Sequence, residues 1–164
     1  MAQEIERKFL VQDDRWQQQA GPGLVYEQAY LTDVVKDQSV RCSVRLRVVG
    51  EQANINIKSA ELGISRLEFE YPIALADAKQ MMMTMRIGPI IRKTRYRIGT
   101  QEGLTWEVDV FSGDNQGLVV AEIELATEDA DFERPDWLGK EVSQDPRYYN
   151  VSLLHHPYKD WQAH

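Results

Sequence analysis

The sequence predicts an α+β domain whose body is an eight-stranded antiparallel β-barrel with a few flanking helices. Three observations carry that prediction. Eight segments alternate apolar and polar residues with period two, the mark of strands that differ on their two faces. Short links with turn residues separate most of them (Gly50, Gly63, Gly99, Gly103, and Ser112-Gly113-Asp114-Asn115), which suits hairpins rather than parallel crossovers. The polar faces carry charge sorted by strand, and the opposite faces are apolar. Closing the sheet with its charged face inward satisfies both.

The elements follow in chain order. Glu4 to Val11 sets Ile5, Phe9 and Val11 against Glu4, Glu6 and Lys8. Asp13-Asp14 caps a short helix through Trp16 to Ala20, stopped by Gly21-Pro22. Tyr26 to Thr32 puts Tyr26, Gln28 and Tyr30 on one side, and Arg41 to Val49 opposes Arg41, Ser43, Arg45 and Arg47 to Val44, Leu46 and Val48. Asn54 to Lys58 and Arg66 to Tyr71 continue the pattern, the latter with Arg66, Glu68 and Glu70 together. Leu75 to Arg86 holds good helix formers and ends before Gly88-Pro89; its methionines read as core packing. Arg92 to Ile98 aligns Lys93, Arg95 and Arg97, Leu104 to Val110 aligns Thr105, Glu107 and Asp109, and Val119 to Leu125 aligns Glu122 and Glu124. Pro135 marks a short helix start, and Asp145-Pro146 starts another running to about Leu154.

Composition narrows the class. A chain of 164 residues with 43% apolar and 27% charged residues makes one domain with a real core, read as residues 3–154 with a tail at 155–164. A net charge of −7 argues against a general nucleic-acid binder. The lone Cys42 rules out a disulfide framework. The charged start MAQEIERKFLV is no signal peptide, and no stretch is apolar enough for a membrane span, so a cytoplasmic protein with no membrane partner is expected. A homodimer is compatible with outer apolar faces that exceed what the helices cover.

The polar faces are the informative feature. They carry eight acids and nine bases, with same-sign neighbours at i, i+2 (Arg45/Arg47, Glu68/Glu70, Glu122/Glu124). A solvated face with cross-strand ion pairs is the bland reading. Same-sign ladders repel, however, and stability alone does not favour them. A polyphosphate chain gives the cations a partner, and a divalent metal with a taste for oxygen ligands lets carboxylates share the same space. Bases for phosphate and acids for Mg²⁺ or Mn²⁺ describe a phosphoryl-transfer site.

The ordered set EIERK, SVRLRV, NIKSA, SRLEFEYPI, RKTRYR, WEVDVF, AEIEL and DPRYYN resembles the CYTH superfamily, the triphosphate tunnel metalloenzymes, and is most similar to short bacterial members often labelled adenylate cyclase. The resemblance implies a tunnel of eight antiparallel strands holding Mg²⁺ or Mn²⁺ and a triphosphate. Position by position, it implies metal acids at Glu4, Glu6, Glu122 and Glu124, with Glu68 and Glu70 as a further pair. It implies phosphate-gripping cations at Arg45, Arg47, Lys58, Lys93 and Arg95. Asp109 matches an acid near the attacking water, Lys8 closes the ExExK motif, and Tyr30 matches a tyrosine close to that lysine. Arg147, Tyr148 and Asn150 match a C-terminal helix at one tunnel mouth. Where family members often have a further lysine, this chain has Tyr149 and Val151, and its next lysine is Lys159.

The implied activity is hydrolysis of inorganic triphosphate to pyrophosphate and phosphate. Lys8 is the expected activator of water if neighbouring cations lower its pKa, with Tyr30 as its partner. The alternatives are a class IV-type adenylate cyclase, a hydrolase of thiamine or nucleoside triphosphate, and a polyphosphate sensor. Arg66 and Arg97 fit either ion pairs with neighbouring acids or contact with substrate, and Glu107 is expected to have mixed structural and site roles. Trp106, Trp137, Trp161 and Phe111 read as packing, and His155, His156 and His164 as an exposed tail.

Overall fold

A computed structural model describes residues 3–61 and 63–161. Its strands are β1 (Gln3–Val11), β2 (Leu24–Tyr30), β3 (Cys42–Val49), β4 (Gln52–Ser59), β5 (Ser65–Ile73), β6 (Ile87–Gly99), β7 (Thr105–Phe111), β8 (Val119–Glu124) and β9 (Leu138–Glu141), with the helix α1 (Leu75–Thr84) between β5 and β6. The order β5-β4-β3-β2-β6-β7-β8-β1 closes through an antiparallel β1–β5 pairing, so eight strands form a barrel. All eight strands expected from alternation are present.

Local chemistry explains the joints. The β3–β4 hairpin turns through two residues, Gly50 and Glu51, since Val49 pairs with Gln52, and Gly50 takes φ 59° there. That left-handed conformation is cheap only without a Cβ. Between Gln28 and Tyr30 of β2 the pairing with β6 shifts register, and Gly88 inside that irregular stretch has φ 67°. A Cβ there would stand 3.2 Å from Leu154, so the glycine also admits the C-terminal segment against the barrel.

Two apolar cores lie outside the barrel wall, and a third, around Ile91, Phe111 and Val120, lies on the inward faces that also carry Lys93, Asp109 and Glu122. Phe9, Trp106, Ile123 and Trp137 pack together on the outer faces of β1, β7 and β8, with Trp16 from the 3₁₀ turn Asp14–Gln18. Leu46, Val48 and Ala53 lie under Ala78 and Met82 of α1. Ile91, Phe111 and Val120 receive Val151, Leu153, Leu154 and Trp161. Leu67, Phe69 and Tyr71, on the outer face of β5, stay exposed.

Three expectations change. Pro135 to Leu138 starts no helix; it leads into β9, which pairs with β1 at Phe9 and Val11, where a Cβ on Gly139 would meet the Leu10 carbonyl oxygen at 3.0 Å. The expected C-terminal helix is two 3₁₀ turns, Pro146–Tyr148 and Asn150–Leu154, interrupted because Tyr149 is extended at ψ 134°. The methionines of α1 are not uniformly core: Met82 is buried, while Met83 is 79% exposed and Met85, just past the helix end, is 60% exposed. His155 and His156 are exposed, but His155 also hydrogen-bonds Asp33; His164 lies outside the described residues. Among the described residues, no helix is long and apolar enough to cross a membrane.

Candidate active site

Alternation turns most of the strands' charged side chains inward, Arg7, Glu27 and Arg92 excepted, and the barrel encloses a cavity of about 260 Å³. Every barrel strand contributes to its lining. Of the expected site residues, all but Asp109 reach that lining.

The cationic side is anchored from beneath. Asp109 on β7 is fully buried and accepts from Lys93 Nζ at 2.7 Å and from Arg95 Nε and Nη2 at 2.7 and 2.9 Å. Burial pushes the Asp109 carboxyl up, and the two cations outweigh it and hold the carboxyl below its usual range. Burial also lowers Lys93 to about 8, although Asp109 opposes that shift. Arg45 is buried and its Nε has no hydrogen-bond partner; Arg47 Nε is likewise unpartnered. Burial works against the Arg45 charge, and the Tyr30 hydroxyl bonded to it more than offsets this. Cations so buried and incompletely satisfied form a ready anion site.

The acidic side is arranged across the lumen. Glu4 takes Lys58 Nζ at 3.1 Å and Arg66 Nε at 3.5 Å, and Lys58 also reaches Glu68 at 3.2 Å. Against the raising effect of burial, those two cations keep Glu4 below its usual range. Glu6 and Glu122 hydrogen-bond each other. Burial, then the Glu122 charge, raises Glu6 well above a normal carboxyl. Glu122 is held well below, because Lys8 and the bond from Glu6 outweigh burial. Burial and then Glu4, Glu68 and Glu107 raise Glu124.

Several expected roles are set apart by this geometry. Asp109 is fully buried, bonded to Lys93 and Arg95, and does not itself reach the cavity lining. Glu70 also lines the cavity; its side chain is 40% exposed and pairs with Arg47 at 2.8 Å. Lys8 donates to the Tyr148 carbonyl at 3.0 Å and stands 3.9 Å from Glu122. Its recorded partners are therefore an acid and a carbonyl rather than the expected cations. Arg66 pairs with Glu4, and Arg97 with Glu107 at 3.1 Å, and both arginines line the cavity, so the ion pairs and the access to a ligand occur together. At one mouth Asn150 reaches the lining, while Arg147 pairs with Asp145 and stacks on Tyr148 and Trp161.

Sequence reasoning missed Ser43, Ser143, Tyr149, Val34 and Val151 as lining residues. Ser143 accepts the Lys8 backbone N–H at 2.9 Å, and Tyr149 donates to the Ser143 carbonyl at 3.3 Å. Ser43 was visible in the alternation of β3. The others sit in irregular segments with no periodic signal.

The CYTH domain is matched over residues 2–158. This chain belongs to the CYTH family. Among relatives, the inorganic triphosphatase of Acetivibrio thermocellus is 44% identical over 162 residues, covering 99% of both chains. The inorganic triphosphatase of Nitrosomonas europaea is 37% identical over 153 residues, covering 92% of this chain and 95% of that one. A crystal structure of an inorganic triphosphatase superposes with a TM-score of 0.62 at 32% identity, covering 92% of this chain and 96% of the other.

The CYTH tunnel meets a metal test on its donor chemistry. Glu4, Glu6, Glu122 and Glu124 offer only hard carboxylate oxygens, which suit a divalent cation such as Mg²⁺ or Mn²⁺ and not a soft one. Among the described residues no group of three or more His, Cys, Asp or Glu side chains is placed to hold a metal ion. That is compatible with a cation that keeps waters and shares its coordination between one or two carboxylates and substrate phosphates.

Proposed function

We propose that this CYTH protein hydrolyses inorganic triphosphate to pyrophosphate and phosphate in the cytoplasm, with Mg²⁺ or Mn²⁺ as its metal. The observation that carries the reading is the lumen itself, where the buried guanidinium of Arg45 and the half-buried one of Arg47, both incompletely paired, share one cavity with the Glu6–Glu122 carboxyl pair. The name of the 44%-identical relative agrees with it. A cavity of about 260 Å³ is below the ~300–1,000 Å³ of pockets that take larger organic ligands, which favours a short inorganic chain.

In this reading one or two carboxylates of the set Glu4, Glu6, Glu122 and Glu124, with Glu68 beside them, would hold the metal together with substrate phosphates. Bound there, the metal neutralises phosphate charge and polarises the scissile phosphoryl group. Arg45, Arg47, Lys58, Lys93 and Arg95 bind non-bridging oxygens, and Asp109 keeps Lys93 and Arg95 aimed. Glu70 is a counter-ion for Arg47. Lys8 and Tyr30 orient the attacking water: the Tyr148 carbonyl fixes Lys8 Nζ, and Arg45 fixes the Tyr30 hydroxyl. The water adds to the terminal phosphorus as the P–O bond to the pyrophosphate breaks, and its proton leaves to solvent or product.

The test is product analysis with inorganic triphosphate, ATP and thiamine triphosphate, each with Mg²⁺, Mn²⁺ or chelator. Metal-dependent phosphate release from inorganic triphosphate, with ATP nearly untouched, is expected. Cyclic AMP from ATP would make the protein a cyclase, and tight binding without turnover would make it a sensor. Lys8→Met should lower kcat by about a hundredfold, in the range of positioned proton-handling groups. A change in KM alone would make Lys8 a binding residue.

A further inference from the structure

Tyr26 is 4% exposed, on the inward face of β2, yet it does not reach the cavity lining. It sits behind the arginines instead. The guanidinium carbon of Arg47 lies over its ring at 5.5 Å from the centroid, and that of Arg95 at 4.9 Å. Arg97 Nη2 donates to its hydroxyl at 3.1 Å. One side chain therefore touches three of the lumen's cations, drawn from β3 and β6, the two strands that flank β2.

These arginines need such a support. Burial and then repulsion by Arg45 pull the Arg47 guanidinium below its usual range, whereas Glu70 and Tyr26 act in the other direction. Glu70 is partly exposed, so water weakens its help. The negative face of a buried ring stabilises a guanidinium without occupying the lumen, and it leaves the N–H donors free for a ligand. A carboxylate at the same place would compete with phosphate for those donors. Asp109 does so for Arg95; Tyr26 does not.

We propose that Tyr26 is a positioning residue of the phosphate-binding wall: its ring pre-sets Arg47 and Arg95, and its hydroxyl pre-sets Arg97, for a polyphosphate anion. The inference rests on the triphosphatase reading and adds a residue to it.

The test measures tripolyphosphate binding by calorimetry in chelator, together with KM and kcat in the presence of metal. Two guanidinium contacts of ordinary cation–π strength correspond to about a tenfold loss, so Tyr26→Leu should raise both Kd and KM about tenfold, with kcat lowered less than about twofold. Tyr26→Phe keeps the ring and should restore binding to within about twofold of wild type. If Tyr26→Leu does not fold, Tyr26→Met replaces it in the same comparison. Binding by the truncated variant equal to wild type would overturn the proposal. So would a Phe variant as weak as the Leu variant, or a fall in kcat and thermal midpoint with KM unmoved. If the wild type neither binds nor hydrolyses tripolyphosphate, the triphosphatase reading fails. The same variants are then compared on pyrophosphate and ATP, where an equal response from all would also overturn the role of Tyr26.

Discussion

Lys93 and Arg95 enter the tunnel with a carboxylate already locked behind them, whereas Glu6 and Glu122 face each other across a shared hydrogen bond. The two walls differ in where their support lies. Asp109, buried behind the surface, supports the cationic wall from outside the lumen. The acidic wall is balanced from within the lumen by Lys8, Lys58 and Arg66. Its charges depend on one another and on anything that enters. A change to the acidic wall should therefore act on turnover, and a change behind the cationic wall on stability and substrate affinity.

Glu122→Gln tests the first half of that contrast and should have the largest effect. The amide keeps the size of the side chain and can still bond Glu6, so the thermal midpoint should move little. Losing a charge aimed at the reacting group should cut phosphate release by about a hundred- to a thousandfold. A variant with wild-type turnover would remove Glu122 from the site. Asp109→Ala tests the second half. It strands two buried cations, and breaking a buried pair from one side costs about 3–5 kcal/mol, measurable by denaturant unfolding. KM should rise with it, because Lys93 and Arg95 lose their aim.

The walls were legible in the sequence because a period of two sorts a strand's residues by face, and each charged run fell within one strand. The supports were not. Alternation places Asp109 inward, but nothing in WEVDVF says that Lys93 and Arg95 will cover it. Tyr26 shares its face with Gln28 and Tyr30, and its arginine neighbours come from two other strands. The pairing of Glu70 with Arg47 is diagonal, since Arg47 stands in register with Asn54 and Glu70 with Asn56. The four-residue β9 is too short and too glycine-broken to show a period. Pro135 before it carried a helix-start signal that the edge of β1 overrode.

A smaller effect comes from pH. Lys93 titrates near 8 rather than at the ordinary 10.5, chiefly because it is buried. A value lowered by folding means that the folded chain favours the neutral amine. The cost of keeping the charge is complete below about pH 8 and fades as pH rises toward 10.5. Affinity for an anion runs the other way. KM for triphosphate should rise above pH 8 by about tenfold as one charge-assisted hydrogen bond is lost. Lys93→Arg, which keeps its charge, should flatten that profile. A wild-type KM constant to pH 10 would remove Lys93 from the phosphate contacts.

The smallest expected effect separates the two walls where they meet. Glu70 is an acid on the rim of the cationic wall, pairing with Arg47 at 2.8 Å while 40% exposed. If it belonged to the metal acids, Glu70→Gln would lower turnover and raise the metal concentration needed for activity. As a half-solvated counter-ion it contributes less than about 1 kcal/mol to stability, and it competes with phosphate for Arg47. Its removal should therefore leave the metal dependence unchanged and lower KM by about twofold. Metal titrations at saturating triphosphate, together with KM at fixed metal, separate the two. A lower KM would assign Glu70 to the cationic wall, and a shifted metal requirement would return it to the acidic one.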